Sequence, residues 1–309
     1  MPLPLRLRGT LDSAALLHSL QAIVHRHEAL RTRFAVHQGR ALQVIDAGDL
    51  ELAVETVFSP QEVQAICAGE QRHAFDLAQE RLCRLRVLED RSEPGEPGHV
   101  LLVTMHHSVS DGWSLGVFFR ELVELYQAFS QGRVSPLPPL PIHYADYAQW
   151  QRHWLQGDVL ARQLSYWSTQ LAGLPPLLNL PADRPRPAEQ RYRGRSVGLF
   201  IETELTQQVH ALCRARGVTL YMSLLATFAV LLHRYSGQAD LAIGTPIANR
   251  TRQETENLIG FFVNTLVMRS QLQGDPRFVD LLEQTRTVAL QGYAHQDIPF
   301  EQLIEELNP

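Results

Sequence analysis

Two adjacent histidines, followed at short range by aspartate and glycine, mark the stretch of this 309-residue chain best suited to chemistry: Met105-His106-His107-Ser108-Val109-Ser110-Asp111-Gly112-Trp113-Ser114. Imidazole titrates nearest neutral pH of the common side chains, so it can serve as base, hydrogen-bond partner or metal ligand. A metal centre needs three or more converging ligands. Neighbours on an extended segment face opposite sides, and the sequence has no second ligand cluster and no CxxC, which argues against that reading. Two readings stay open on spacing alone. In one, a single imidazole acts as base or hydrogen-bond partner while a buried Asp111 locks the turn through an ion pair or hydrogen bonds. In the other, the segment is an ordinary strand-to-helix turn with two structural histidines. Either way His106 and His107 do different jobs, and Gly112 gives the turn backbone freedom.

The elements that must position this stretch are legible on both sides. Residues 100–106 form an apolar strand, and residues 114–130 a helix burying Phe118, Leu122, Leu125 and Phe129, with Gly132 just past its end. Upstream, Thr10 or Asp12 caps a helix through about His27. Residues 31–36 and 41–45 form a hairpin around His37-Gln38-Gly39-Arg40. Ser59-Pro60-Gln61-Glu62 is a capping box that opens a helix to about His73, and residues 82–88 are a strand. Residues 90–98 read as an exposed loop.

Residues 134–141 carry four prolines and exclude helix and central strand. An aromatic helical region follows (Tyr144, Tyr147, Trp150, Trp154, Tyr166, Trp167), then a second Pro-rich stretch at 174–187. Beyond it come a strand at 195–201, helices at 206–216 and 219–235 ended by Gly217 and Gly237, strands at 241–244 and 262–269, and a helix at 277–291 capped by Asp275-Pro276. Strands and helices mix in both halves, so the expectation is α/β (α+β with mixed sheets) twice over, joined near the Pro-rich region.

Composition sets the outer bounds. Lys+Arg is 28 and Asp+Glu 33, a net charge of −5, and 45% of residues are hydrophobic. That composition excludes disorder, and a mildly acidic chain without basic blocks argues against nucleic-acid binding. No apolar run approaches roughly 18 residues, so no membrane span is expected. The N-terminus lacks a signal-peptide core, so a cytoplasmic location is expected. Cys67, Cys83 and Cys213 are far apart and read as reduced, mostly core thiols.

The His-His-x-x-x-Asp-Gly pattern with Trp113-Ser114 resembles the condensation domains of nonribosomal peptide synthetases, relatives of chloramphenicol acetyltransferase. Four more motifs agree in order. They are Arg26-His27-Glu28-Ala29-Leu30-Arg31-Thr32-Arg33-Phe34; Tyr144-Ala145-Asp146-Tyr147-Ala148-Gln149-Trp150; Ile259-Gly260-Phe261-Phe262-Val263-Asn264-Thr265-Leu266 running on to Arg269; and His295-Gln296-Asp297-Ile298-Pro299-Phe300-Glu301. The resemblance spans residues 26–301 and implies two acetyltransferase-like lobes forming a V around a tunnel. Residues 1–160 would be the N-terminal lobe without its first segment, and residues 161–309 a truncated C-terminal lobe. Exposed apolar surface on both lobes and an incomplete second sheet are expected.

The implied activity is amide formation between a donor acyl or peptidyl thioester and the amine of an acceptor aminoacyl thioester. The domain itself would bind no cofactor. Both substrates would arrive on phosphopantetheine arms of upstream and downstream peptidyl carrier protein domains, beside an adjacent adenylation domain, with no nucleic acid or membrane involved. By position, His107 is the implied catalytic residue and His106 a structural neighbour. Asp111 would pair with Arg26, or else Arg31. Gly112 would keep the turn close to the substrate, and Trp113, Ser114 and Asn264 would shape the tunnel.

The absence of Asp-x-x-x-x-Asp in place of the histidine motif excludes the heterocyclising type, and the pattern around residues 262–265 favours plain condensation over epimerisation. Three rivals remain: a coenzyme A-dependent acyltransferase of the same superfamily, although its plant-type Asp-Phe-Gly-Trp-Gly string does not occur here; a non-catalytic module recruiting carrier proteins; and an inactive fragment.

Overall fold

The computed structural model describes residues 2–48, 52–92, 98–185, 187, 189 and 194–307. The centre of the expected loop at 90–98, and Arg186 within the second Pro-rich stretch, lie outside the described residues. The chain divides into two compact units. The first comprises residues 1–154 together with 248–263, and the second residues 155–247 and 264–309. The division falls at Trp154, between the two Pro-rich stretches, and a short downstream segment belongs to the first unit.

In the first unit the order is β1 (Pro2–Leu7), α1 (Ser13–Arg26), β2 (Thr32–His37), β3 (Arg40–Ile45), β4 (Ala53–Val57), α2 (Pro60–Arg72), β5 (Cys83–Asp90), β6 (Gly98–Met105), α3 (Gly112–Phe129) and α4 (Tyr144–Trp154). A mixed sheet runs β1-β6-β5-β4, with β4 parallel to β5 and the other neighbours antiparallel. β6 is apolar along most of its length because both its faces are covered, as buried strands require. Leu101, Val103 and Met105 join Cys83, Leu85 and Val87 of β5 against Leu16, Leu20 and Ile23 of α1 and Phe118 and Leu125 of α3. On the other face Val100, Leu102, Leu88 and Val57 pack on Val63 and Ile66 of α2. Glu70 of α2 is buried and takes Arg84 and Arg86 at 2.7 and 2.8 Å.

The caps follow the sequence. Asp12 accepts from Ala15 N–H, and Ser59 from Glu62 N–H, while Glu62 reaches back to Phe58 N–H. Gln38 and Gly39 both have positive φ in the β2–β3 turn, which matches the twist of a tight hairpin.

The second unit contains α5 (Gly157–Leu171), α6 (Thr203–Arg216), α7 (Leu220–Ser236), β7 (Asp240–Ile247), β8 (Asn264–Gln271), α8 (Phe278–Ala294) and α9 (Phe300–Leu307). β7 and β8 form a two-stranded antiparallel sheet against which α7 and α8 pack. Gly217 and Gly237 close α6 and α7 in the left-handed conformation. Arg269 of β8 pairs with Asp240 and holds the carbonyls of Gln170 and Ala172 at the end of α5. α7 leaves Leu224, Phe228, Leu231 and Tyr235 exposed.

No single helix among the described residues is long and apolar enough to cross a membrane. α6 and α7 together pass on length and composition, but meet at 105°.

Three sequence expectations need correction. Residues 195–201 form no strand, and Val197, Leu199 and Phe200 are 92%, 87% and 84% exposed. Alternating apolar residues make a segment competent for pairing, but a strand exists only with a partner, and none of the described strands pairs with it. The strand expected from residue 262 begins at Asn264, because the Phe262 N–H is taken by Asp111. Asp275 does not cap α8. It has φ +53°, and Arg277 precedes the helix with no side-chain cap. The thiols of Cys67, Cys83 and Cys213 are free, and burial pushes that of Cys83 up to about 12.

The α1/α3/sheet core of the first unit turns on Phe118, which is fully buried. Phe118→Ala should lower its stability by about 3–5 kcal/mol, read from urea unfolding followed by circular dichroism.

Candidate active site

β6 ends at Met105, and the chain turns at once, held by the His106 N–H donating to Leu82 O at 2.8 Å. Asp111 then caps α3. It is buried, and its Oδ1 accepts from Ser114 N–H at 2.8 Å and Ser114 Oγ at 2.7 Å, while Oδ2 accepts from Phe262 N–H at 3.0 Å. A buried carboxylate needs a cation as well as hydrogen bonds. That cation is Arg250, whose Nη2 lies 3.3 Å from Asp111 Oδ1 and 2.9 Å from Ser114 Oγ, with both charged side chains almost wholly buried. Arg250 Nη1 donates to the carbonyls of Thr255 and Leu258, and the guanidinium lies 4.0 Å over the Phe262 ring. Burial pulls the guanidinium below its ordinary value, and the charge and hydrogen bond of Asp111 oppose that pull.

Arg250 replaces both expected partners of Asp111. Arg26 donates instead to Glu121 Oε1 at 3.0 Å and to Pro138 O at 2.6 Å, and Arg31 ties together the carbonyls of Val24, His25 and Asp46. An arginine 139 residues downstream of Asp111 follows no spacing rule. The one sequence clue was that a buried aspartate must find a cation somewhere.

The two histidines part in the turn itself, since both lie past the last residue of β6. His106 turns inward: its Nδ1 accepts from Ser108 N–H at 3.2 Å and lies 2.9 Å from Ser108 Oγ, and its ring meets Phe75 edge-on. Burial lowers its pKa, with His107 adding to the effect. His107 turns outward and is exposed. Its ring meets Phe261 edge-on at 5.2 Å, and its nitrogens make no protein hydrogen bond among the described residues.

Phe261 is fixed in turn, since its carbonyl accepts from Tyr144 Oη at 2.7 Å. Any side chain at Gly260 would run into the Tyr144 ring, so that position demands glycine. Burial pushes the Tyr144 phenol well above its ordinary value.

Of the other expected site residues, Trp113 is half-exposed and donates from Nε1 to Glu256 O at 2.9 Å. Gly112 lies in ordinary helical backbone, and a Cβ there would meet open space, so its conformation does not require glycine. Ser114 does not line a surface. It is fully buried, and its Oγ joins Asp111, Arg250 and the Gly260 backbone. Asn264 is also committed: Nδ2 donates to Gln296 O and Ile298 O, and Oδ1 accepts from Thr265 N–H and Phe300 N–H. It clamps the loop before α9 within the second unit. No group of three or more histidine, cysteine or acidic side chains that could hold a metal ion occurs among the described residues.

A second buried cluster sits beside the first. His27 Nε2 lies 2.8 Å from Glu121 Oε2, and its Nδ1 accepts from Ile259 N–H at 3.3 Å. Burial holds His27 below the ordinary imidazole value of 6.5, against the pull of Glu121 and with Arg26 and His143 assisting. Burial pushes Glu121 up, but the hydrogen bonds and charges of His27 and Arg26 outweigh it and leave it lowered.

These clusters give stability a testable dependence on sequence and on pH. Arg250→Met leaves Asp111 buried without its cation and should cost about 3–5 kcal/mol in urea unfolding. As pH falls through 6.5, unfolded His27 takes up a proton that folded His27 does not. Lower still, Glu121 loses the stability its carboxylate supplied. The urea midpoint should therefore fall from about pH 7 to about pH 5 as unfolded His27 protonates and again below about pH 4.5 as Glu121 protonates, and His27→Gln should flatten the upper step.

Residues 1–309 match the family described as the condensation domain. One of the subunits of linear gramicidin synthase from Brevibacillus parabrevis is 46% identical over 316 residues, covering 100% of this chain. The chain spans only 6% of that relative's length. Among solved structures, the X-domain from teicoplanin biosynthesis superposes with a TM-score of 0.91 at 31% identity, over 100% of this chain and 69% of that one. A complex of that X-domain with OxyB matches at TM-score 0.89 and 31% identity, covering 100% and 68%. With the family match running the whole length of the chain, and with the Asp111-braced turn carrying an exposed His107, this chain belongs to the condensation domains of nonribosomal peptide synthetases.

Proposed function

We propose that this domain joins a donor acyl or peptidyl thioester to the amine of an acceptor aminoacyl thioester, both carried on phosphopantetheine arms of peptidyl carrier proteins beside an adenylation domain. The observation that carries this reading is His107: an exposed imidazole, free of protein hydrogen bonds among the described residues, on a turn braced by a buried ion pair. The acceptor nitrogen attacks the donor carbonyl carbon, so a C–N bond forms and the C–S bond breaks. His107 takes the proton from the attacking nitrogen and passes it to the departing sulfur, which leaves as the donor carrier's thiol. A thioester is already activated, so a positioned base contributing roughly 10²–10⁴-fold, together with the proximity of two tethered reactants, accounts for useful rates. His106 supports the turn, and Gly112 leaves the approach to His107 unobstructed.

The X-domain likeness favours a second reading, a module that binds a partner protein without turnover, since one such structure is a complex with OxyB. Loading two carrier proteins and following amide formation by mass spectrometry separates the two. Turnover that His107→Ala lowers by at least about 10²-fold, with thermal stability unchanged, supports catalysis. Carrier binding with no amide formed supports the recruitment reading. Equal turnover by wild type and His107→Ala removes His107 from the chemistry. Coenzyme A thioesters that replace both carriers would point to a free acyltransferase.

A further inference from the structure

His27 lies outside the His107 turn and has no part in the proton transfer, yet it is almost wholly buried at the end of α1 and satisfied at both nitrogens. We propose that His27 is a positioning residue for the His107 site: a rigid neutral spacer that sets the depth of residues 259–261 against α3. The proposal rests on the function given above for its effect on turnover.

The hydrogen bonds fix the tautomer. Nδ1 accepts from Ile259 N–H, so it carries no proton, and the proton sits on Nε2, where it donates to Glu121. Burial, which keeps the ring below its ordinary pKa, agrees with that neutral form. The two nitrogens of one planar ring have a fixed separation, so His27 fixes the distance between Glu121 on α3 and the Ile259 amide. Glu121 is itself held on its other oxygen by Arg26.

From Ile259 the constraint passes along two peptide units. Gly260 N–H donates to Ser114 Oγ at 3.1 Å and its carbonyl lies 2.9 Å from the same oxygen, while Phe261 meets His107 edge-on. A shift at Ile259 therefore moves the aromatic ring that faces the His107 imidazole. A leucine at position 27 would fill the space but leave the Ile259 N–H unpaired and remove one partner of Glu121, and buried polar groups do not tolerate that.

Two near-isosteric variants separate the two hydrogen bonds. His27→Asn keeps an acceptor near the Nδ1 position toward Ile259, and His27→Gln keeps a donor near the Nε2 position toward Glu121. With carbon-13-labelled histidine, the His107 resonance is assigned by its loss in His107→Gln, and its shift reports the Phe261 ring directly without any turnover. His27→Gln should move the His107 resonance and lower kcat about 10- to 100-fold with KM for the loaded carriers little changed, as a small misplacement at a reacting centre does. His27→Asn keeps the Ile259 bond but loses Glu121, so it too breaks the spacer and should move the resonance and lower kcat, by less than His27→Gln does. An unmoved His107 resonance in His27→Gln, or a moved resonance with unchanged kcat, would each overturn the proposal. If wild type forms no amide, the function proposed above fails, and the resonance alone still decides whether His27 positions the site.

Discussion

The buried ion pair of Asp111 and Arg250 is the interaction on which the first unit's site depends. Neither charge can be left alone in that environment, because the desolvation penalty is recovered only through the partner and the hydrogen bonds around it, which leave Arg250 Nε without a partner among the described residues. Asp111 therefore holds the start of α3, Ser114, Arg250 and Phe262 N–H at once, and Arg250 holds the carbonyls of Thr255 and Leu258. Residues 248–263 are thereby anchored where they contribute Phe261 to the surroundings of His107. Such a pair adds little net stability over well-packed apolar side chains, but it is directional and specifies one arrangement of the turn.

The same physics of burial separates two histidines that are neighbours in sequence. His106 is drawn in by Ser108 and Phe75 and held unprotonated at Nδ1, while His107 is left exposed with an aromatic ring beside it. The turn after β6 makes the division: hydrogen bonds to Leu82 O and from Ser108 N–H hold His106 in, and His107 is left outside. Behind them, Tyr144, Gly260 and the His27–Glu121 pair form the backing against which residues 258–262 rest.

Much of this was legible in the residues. The Asp12 and Ser59 caps, the Gly217 and Gly237 stops, the tight hairpin at Gln38-Gly39 and the strand-to-helix turn at 106–114 depend on interactions within a few residues, and local chemistry determines them. The partner of Asp111 was not legible, nor was the burial of Ser114 and Asn264. The strand pattern at 195–201 misled for the same reason in reverse: its local propensity is correct, but pairing is a long-range event that propensity does not supply.

The sequence by itself determined the family and the motifs, because those lie in short, ordered patterns of side chains. Only the tertiary structure decided that Arg250 and not Arg26 neutralises Asp111, that Ser114 and Asn264 are internal clamps, and that His27 bridges Glu121 and Ile259. The physical reason is that burial sets these roles. A charge or amide acquires an obligatory partner only once folding has removed water from around it, and that partner is whichever group the fold brings within about 3 Å, however distant in the chain.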